Sequence, residues 1–130
     1  MTSIEFDLEY AYSGDEITFV VSFPTALTDT RVEMLLDTGA SFSTLHHDLL
    51  PALGIENVES GTPGTIFVAN GGIERCWIHA VEIELLGRRM AIQVAFCPAW
   101  DMRNLLGMRG FMDQVTFAVD HAKRRLYINL

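Results

Sequence analysis

In the stretch Val32-Glu33-Met34-Leu35-Leu36-Asp37-Thr38-Gly39-Ala40-Ser41 an apolar run delivers one aspartate directly into Thr-Gly. The strand formed by the apolar residues anchors in a core, so a carboxylate at its end sits where packing gives out and is held rigidly. Gly39 has no Cβ, which lets backbone N–H groups reach that carboxylate and lets another chain or a substrate come close. Thr38 adds a β-branched, stiff side chain with a hydroxyl. One carboxylate cannot act as acid and base together in the attack of water on an amide. Two can, because carboxylates roughly 3 Å apart cannot both ionise: one keeps a proton and polarises a carbonyl while the other activates water. The plainer reading of Asp-Thr-Gly is a turn aspartate satisfied by neighbouring N–H groups.

A second such motif is absent from the chain. Asp101 is followed by Met-Arg, Asp113 by Gln-Val and Asp120 by His-Ala. A partner carboxylate must then come from another molecule, and a two-fold axis between two copies of Asp37 would supply it. Phosphate transfer through Asp37 fits less well, since no lysine follows, no glycine-rich cradle is present and α/β alternation is missing. Two-carboxylate chemistry needs no cofactor. Cys76 and Cys97 lack metal-type spacing, lie in apolar strand patterns and read as buried free thiols, which suits a reducing cytoplasm. His46 and His47 are neighbours expected to point different ways, His79 and His121 are distant, and no metal site is expected among them.

Composition sets the frame for these residues. A chain of 130 residues, 49% hydrophobic, closes one core and forms one domain over residues 1–130. Its formal charge of −8 argues against nucleic acid, which needs a basic patch. Lys123-Arg124-Arg125 reads as a solvated turn. The acidic, alternating start "MTSIEFDLEY" does not resemble a secretory signal, and no apolar run approaches the roughly 20 residues of a membrane-spanning helix, so a soluble, cytoplasmic protein is expected.

Period-two alternation dominates. Ile4, Phe6 and Leu8 share a face, and a turn at Ser13-Gly14-Asp15 leads into "EITFVVSF", which predicts an opening hairpin. A loop reaching Thr30 precedes the strand that carries Asp37. "HHDLLPALG" predicts a short helix capped by Asp48, with Pro51 in its first turn and Gly54 at its end. "GTIFVA" and "IERCWIHAVEIEL" flank Asn70-Gly71-Gly72, a strong hairpin signal. A turn at Gly87-Arg88 leads to "RMAIQVAF", with Met90, Ile92, Val94 and Phe96 on one side, and Pro98 ends that strand. A brief helical pattern in "MRGFMDQ" and the strands "VTFAV" and "RLYINL" complete an all-β barrel or sandwich with one or two short helices.

Four stretches in order resemble the retropepsin-like aspartic proteases, in particular their small bacterial members, over roughly residues 31–130. They are "LLDTGAS", "HHDLLPALGI", "IFVANGGI" and "NLLGMRGFMDQVTFAVDHAKRRLYI". The resemblance implies a homodimeric acid-protease barrel that hydrolyses a peptide or protein substrate, with Asp37 catalytic and with Thr38, Gly39, Ala40, Leu106 and Gly107 supporting its loop beside Leu105. The Thr38 hydroxyl would bond across the axis. A flap hairpin formed by Phe67, Val68, Ala69, Asn70, Gly71, Gly72 and Ile73 would close over the substrate, the first, second and last of these shaping apolar subsites. Relatives often carry Leu where Met112 stands, a conservative exchange. Where relatives place serine, Ala40 offers no hydroxyl to an ionised dyad, which predicts activity nearer neutral pH. The terminal strands "IEFDLE" and "RLYINL" are candidate pairing edges for the dimer. The alternative is a catalytically silent peptide-binding or dimerisation module of the same fold.

Overall fold

A computed structural model describes all 130 residues. The fold is all-β: nine strands, β1(Leu8–Ala11), β2(Thr18–Ser22), β3(Arg31–Leu36), β4(Thr62–Phe67), β5(Ile73–Leu85), β6(Arg88–Phe96), β7(Leu105–Leu106), β8(Thr116–Asp120) and β9(Arg125–Asn129). They form a three-stranded sheet in the order β1-β9-β8 and a six-stranded sheet in which β4-β5-β2-β3-β7 lie side by side while β6 pairs with β5.

Fifteen buried residues from both sheets and the loops between them make the main core, among them Phe19, Met34, Ile83, Phe96, Leu106, Phe111 and Ile128. Burying each such side chain contributes about 1.5–3 kcal/mol. The β5–β6 ribbon buries opposite faces at its two ends. Val81, Ile83 and Leu85 enter the main core, whereas Cys76 joins Ile66, Ala95 and Cys97 in a small second core, against which Phe42, Ile78, Trp100 and Met102 pack. Alternation on β6 lets Ile92, Val94 and Phe96 serve one core and Ala95 the other. This second core is the floor beneath the candidate site.

The predicted hairpin at Asn70-Gly71-Gly72 forms, with Phe67 opposite Ile73 and Gly71 at φ 82°. The next turn lies one residue earlier than expected: Leu86 (φ 49°) and Gly87 (φ 76°) are its central residues, with Leu85 opposite Arg88. Lys123-Arg124-Arg125 is a surface turn, where Arg124 Nε donates to the Gly14 carbonyl and Arg125 pairs with Glu9.

Several expectations are corrected. The opening hairpin does not form, because β1 pairs with β9 and β2 pairs with β3 and β5. The turn at Gly14 (φ 73°) does reverse the chain, but it carries it into the other sheet, so that Tyr10 of β1 packs tilted against Phe19 of β2 with ring centroids 4.7 Å apart and donates to the Thr18 carbonyl. "RLYINL" is not an edge: β9 is paired on both sides, leaving β1 and β8 at the edges of that sheet. Ile4 and Phe6 lie ahead of β1, and the Asn129 side chain holds that segment by bonding the Glu5 carbonyl and the Asp7 N–H. Three short 3-10 turns replace the one or two helices expected, at His47–Leu49, Val58–Ser60 and Met112–Gln114. The first is capped by the His46 ring, not by Asp48, and it stops at Leu49 with Leu50 as its C-cap, so Gly54 (φ 73°) ends only the run of turns that follows. The second is capped by Asn57, whose side chain accepts from the Glu59 N–H.

Candidate active site

β3 ends at Leu36, and Asp37 is the first residue beyond it. The loop that follows is tied down on two sides. The Asp37 N–H donates to the Leu106 carbonyl (3.0 Å), and β7 runs parallel to β3 with Leu35 opposite Leu105 and Leu36 opposite Leu106. Met108 N–H donates to the Ala40 carbonyl (2.9 Å) and Arg109 N–H to that of Ser41 (3.1 Å). Within the loop the Gly39 N–H donates to Asp37 Oδ1 at 2.8 Å, and a Cβ on Gly39 would lie 3.2 Å from that oxygen. The glycine therefore does what its position suggested.

Beneath the loop lie two buried hydroxyls. Ser43 Oγ accepts from the Gly107 N–H (3.0 Å) and donates to the Arg109 carbonyl (3.0 Å), while Thr44 Oγ1 donates to the Arg103 carbonyl (2.7 Å). Buried polar groups without such partners would each cost about 1–3 kcal/mol, so these bonds fix how β7 and the Asp37 loop sit together. Gly107 is there for space: a Cβ would fall 2.5 Å from the Phe42 carbonyl oxygen and 2.9 Å from that of Ala40.

A cleft of about 610 Å³ opens above this floor. The Asp37 loop and Phe42 form one wall, Ile66 to Ala69 of the hairpin form another, and Trp100 to Arg103 with Leu105 form the lip. Such a volume is ordinary for a ligand site. Of the residues expected at the site, Asp37, Gly39, Ala40, Phe67, Val68 and Ala69 line the cleft. Leu106 and Gly107 are buried behind the Asp37 loop, and exposed Thr38 faces a neighbouring groove with Ile17, Leu35, Phe117 and Val119. Asn70, Gly71, Gly72 and Ile73 make the hairpin tip and do not line the cleft; Ile73 is 62% exposed. Sequence reasoning missed Phe42, Ile66, Trp100, Asp101, Met102 and Arg103. The one signal available for the last four was a Trp and a Met standing in an otherwise polar loop.

His46 and His47 do not point apart. Their rings stack at 4.3 Å, and with Asp48 they place candidate ligand atoms within 4.8 Å of one another. The His46 nitrogens are nevertheless committed: Nδ1 accepts from the Asp48 N–H at 3.1 Å, which leaves Nε2 as the N–H that donates to Asp101 Oδ1, so the ring offers no free lone pair to an ion. The imidazole ties the lip of the cleft to the 3-10 turn. His79 Nε2 bonds the Val58 carbonyl (2.7 Å), and His121 bonds Tyr12 (2.8 Å). Cys76 and Cys97 are free and buried just below the cleft. Burial raises both thiols above their ordinary range; Cys97 adds to the effect on Cys76, and Glu74 to that on Cys97.

An all-β fold that sets an Asp-Thr-Gly loop in the wall of an apolar cleft has the architecture of the retropepsin-like aspartic proteases. The sequence model of the gag-polyprotein putative aspartyl protease family matches residues 24–112, more than half of the chain, and the chain belongs to that family. No curated protein matches the chain. No helix is long and apolar enough to cross a membrane.

Proposed function

We propose that the chain is an aspartic endopeptidase whose reaction centre is completed by a second copy of itself. The observation that carries this reading is Asp37, fixed at the end of β3 by Leu106 and Gly39, in a cleft where no second Asp-Thr-Gly loop accompanies it. A two-fold axis would bring two Asp37 carboxylates together with one shared proton. The ionised carboxylate takes a proton from water as its oxygen attacks the scissile carbonyl carbon, and the protonated one bonds the carbonyl oxygen. Collapse of the tetrahedral intermediate breaks the C–N bond, and the proton passes to the leaving amine.

The residues around Asp37 acquire roles within this reading. Exposed Thr38 faces outward, as a hydroxyl reaching across the axis must. Ala40 favours the protonated dyad and moves activity toward neutral pH. The hairpin acts as a flap: its backbone near Ala69 to Gly72 pairs with an extended peptide, and exposed Phe67 and Ile73 are covered when it closes. Two free thiols fit a reducing cytoplasm. The test is cleavage of a peptide library alongside sedimentation of the pure protein, repeated on Asp37→Asn. Hydrolysis by a dimer, lowered by at least about 10³-fold in the variant, supports the reading. A variant that binds peptide as the wild type does, when neither chain cleaves it, establishes a silent binding module.

A further inference from the structure

Besides Asp37, the cleft is lined by two charged side chains, Asp101 and Arg103, and they are held differently. Asp101 is engaged at the lip by His46 Nε2. Arg103 is mounted rigidly through its backbone. Its carbonyl accepts from buried Thr44 Oγ1 at 2.7 Å, the next carbonyl, of Asn104, accepts from the Leu35 N–H at 2.9 Å, and Asn104 Oδ1 accepts from the His46 N–H at 2.8 Å. The Arg103 side chain borders both the cleft and the neighbouring groove, the two cavities that share Asp37. Its one ionic contact is Nη1 to Glu16 Oε2 at 3.3 Å, with the two side chains 63% and 57% exposed.

A guanidinium carries five N–H donors in a planar fork that matches a carboxylate with two parallel bonds. One exposed contact leaves most of that fork free, and exposed pairs of this kind contribute little and exchange readily. The net charge of −8 opposes an acidic peptide at long range, but salt screens that repulsion beyond about 8 Å. Inside the cleft Arg103 is the one cationic side chain; of the two carboxylates that share the lining, Asp101 is bonded by His46 and Asp37 is held by the Gly39 N–H, so an incoming acidic side chain has Arg103 to pair with.

We infer that Arg103 is a specificity-determining residue that selects a peptide with an acidic side chain next to the cleaved bond, displacing Glu16 when it does so. This rests on the endopeptidase reading above and adds the substrate class. An apolar cleft with an arginine at its margin favours a hydrophobic residue accompanied by Asp or Glu. Glu16 then acts as a competing internal carboxylate.

The experiment uses matched peptides carrying Glu, Gln or Lys on either side of the cleaved bond. It compares kcat/KM for the wild type, Arg103→Gln, Arg103→Lys and Glu16→Gln, and reads binding of the same peptides to Asp37→Asn, with and without Arg103→Gln, by fluorescence anisotropy. Wild type should prefer Glu over Gln by about tenfold. Arg103→Gln should erase that ratio, Arg103→Lys should keep part of it, and Glu16→Gln should enlarge it. An unchanged Glu-to-Gln ratio in Arg103→Gln, in either assay, overturns the inference. Peptide binding to the Asp37→Asn chain that shows the Arg103-dependent ratio, when the wild type cleaves nothing, defeats the endopeptidase reading and leaves the role of Arg103 standing. A chain that neither cleaves nor binds any of the peptides defeats both.

Discussion

On one side of the cleft the Asp37 loop rests on buried Leu106, Gly107, Ser43 and Thr44; on the other, the hairpin leaves Phe67 at the end of β4 79% and Ile73 at the start of β5 62% exposed. The loop is bonded to β7 and to residues 108 and 109, all distant in sequence. The hairpin tip bonds chiefly to itself, through Val68 N–H to the Gly72 carbonyl, Gly71 N–H to the Val68 carbonyl and Gly72 N–H to Asn70 Oδ1. A segment with few buried apolar contacts opens at low free-energy cost, whereas one laced into the core opens only with the whole fold. One wall is thus built to aim a carboxylate and the other to yield to a peptide.

Substitutions that reverse these properties test the contrast. The largest effect on stability is expected at Gly107→Ala, whose Cβ meets backbone atoms of Phe42 and Ala40 that cannot rotate aside. Overpacking of this kind costs about 1–3 kcal/mol, read as a lowered urea midpoint, and it should move Asp37 and reduce kcat together with stability. Phe67→Ser should behave oppositely, changing stability by less than about 0.5 kcal/mol because the ring is exposed. Its effect falls on substrate, raising KM about tenfold through the loss of apolar contact in the closed flap. An unfolding midpoint shifted as far as that of Gly107→Ala would show that the tip is structural after all.

Smaller shifts refine the picture. Ala40→Ser supplies a hydroxyl beside the dyad, so the pH–rate profile should move acidward with the fold unchanged; a stationary profile removes the role given to Ala40. Below the cleft, burial holds the Cys76 and Cys97 thiols above the ordinary 9.0. The unfolded thiols therefore ionise first as pH rises. Their contribution to stability is complete below about pH 9 and declines above it, until the folded thiols ionise in turn. Urea midpoints measured up to about pH 10 should fall less steeply in the Cys76→Ala, Cys97→Ala double variant than in the wild type.

How much of this was legible beforehand depended on whether the signal was local. Asn70-Gly71-Gly72 announced its hairpin because Gly71 must adopt a positive φ, and Asp37-Thr38-Gly39 announced its loop because the carboxylate and the glycine N–H meet two residues apart. Alternation marked Ile4, Phe6 and Leu8 as one strand face, of which only Leu8 lies in β1, yet alternation names no partner, and β1 closes on β9 at the far end of the chain. The lip of the cleft was hidden for the same reason. Asp101 meets His46 across 55 positions, and Trp100, Met102 and Arg103 sit in a loop with no period to reveal which way they face.

The central claim is that catalysis needs Asp37 from two chains, and mixing tests it most directly. Wild-type protein at fixed amount is allowed to exchange subunits with increasing Asp37→Asn chain, and hydrolysis is followed. Pairing across an axis predicts that an equimolar mixture retains about half the activity of the wild type alone, falling further with excess variant, because mixed pairs carry one carboxylate. Activity that stays constant at every ratio, while sedimentation shows mixed dimers, would place the whole reaction centre within a single chain and contradict the claim.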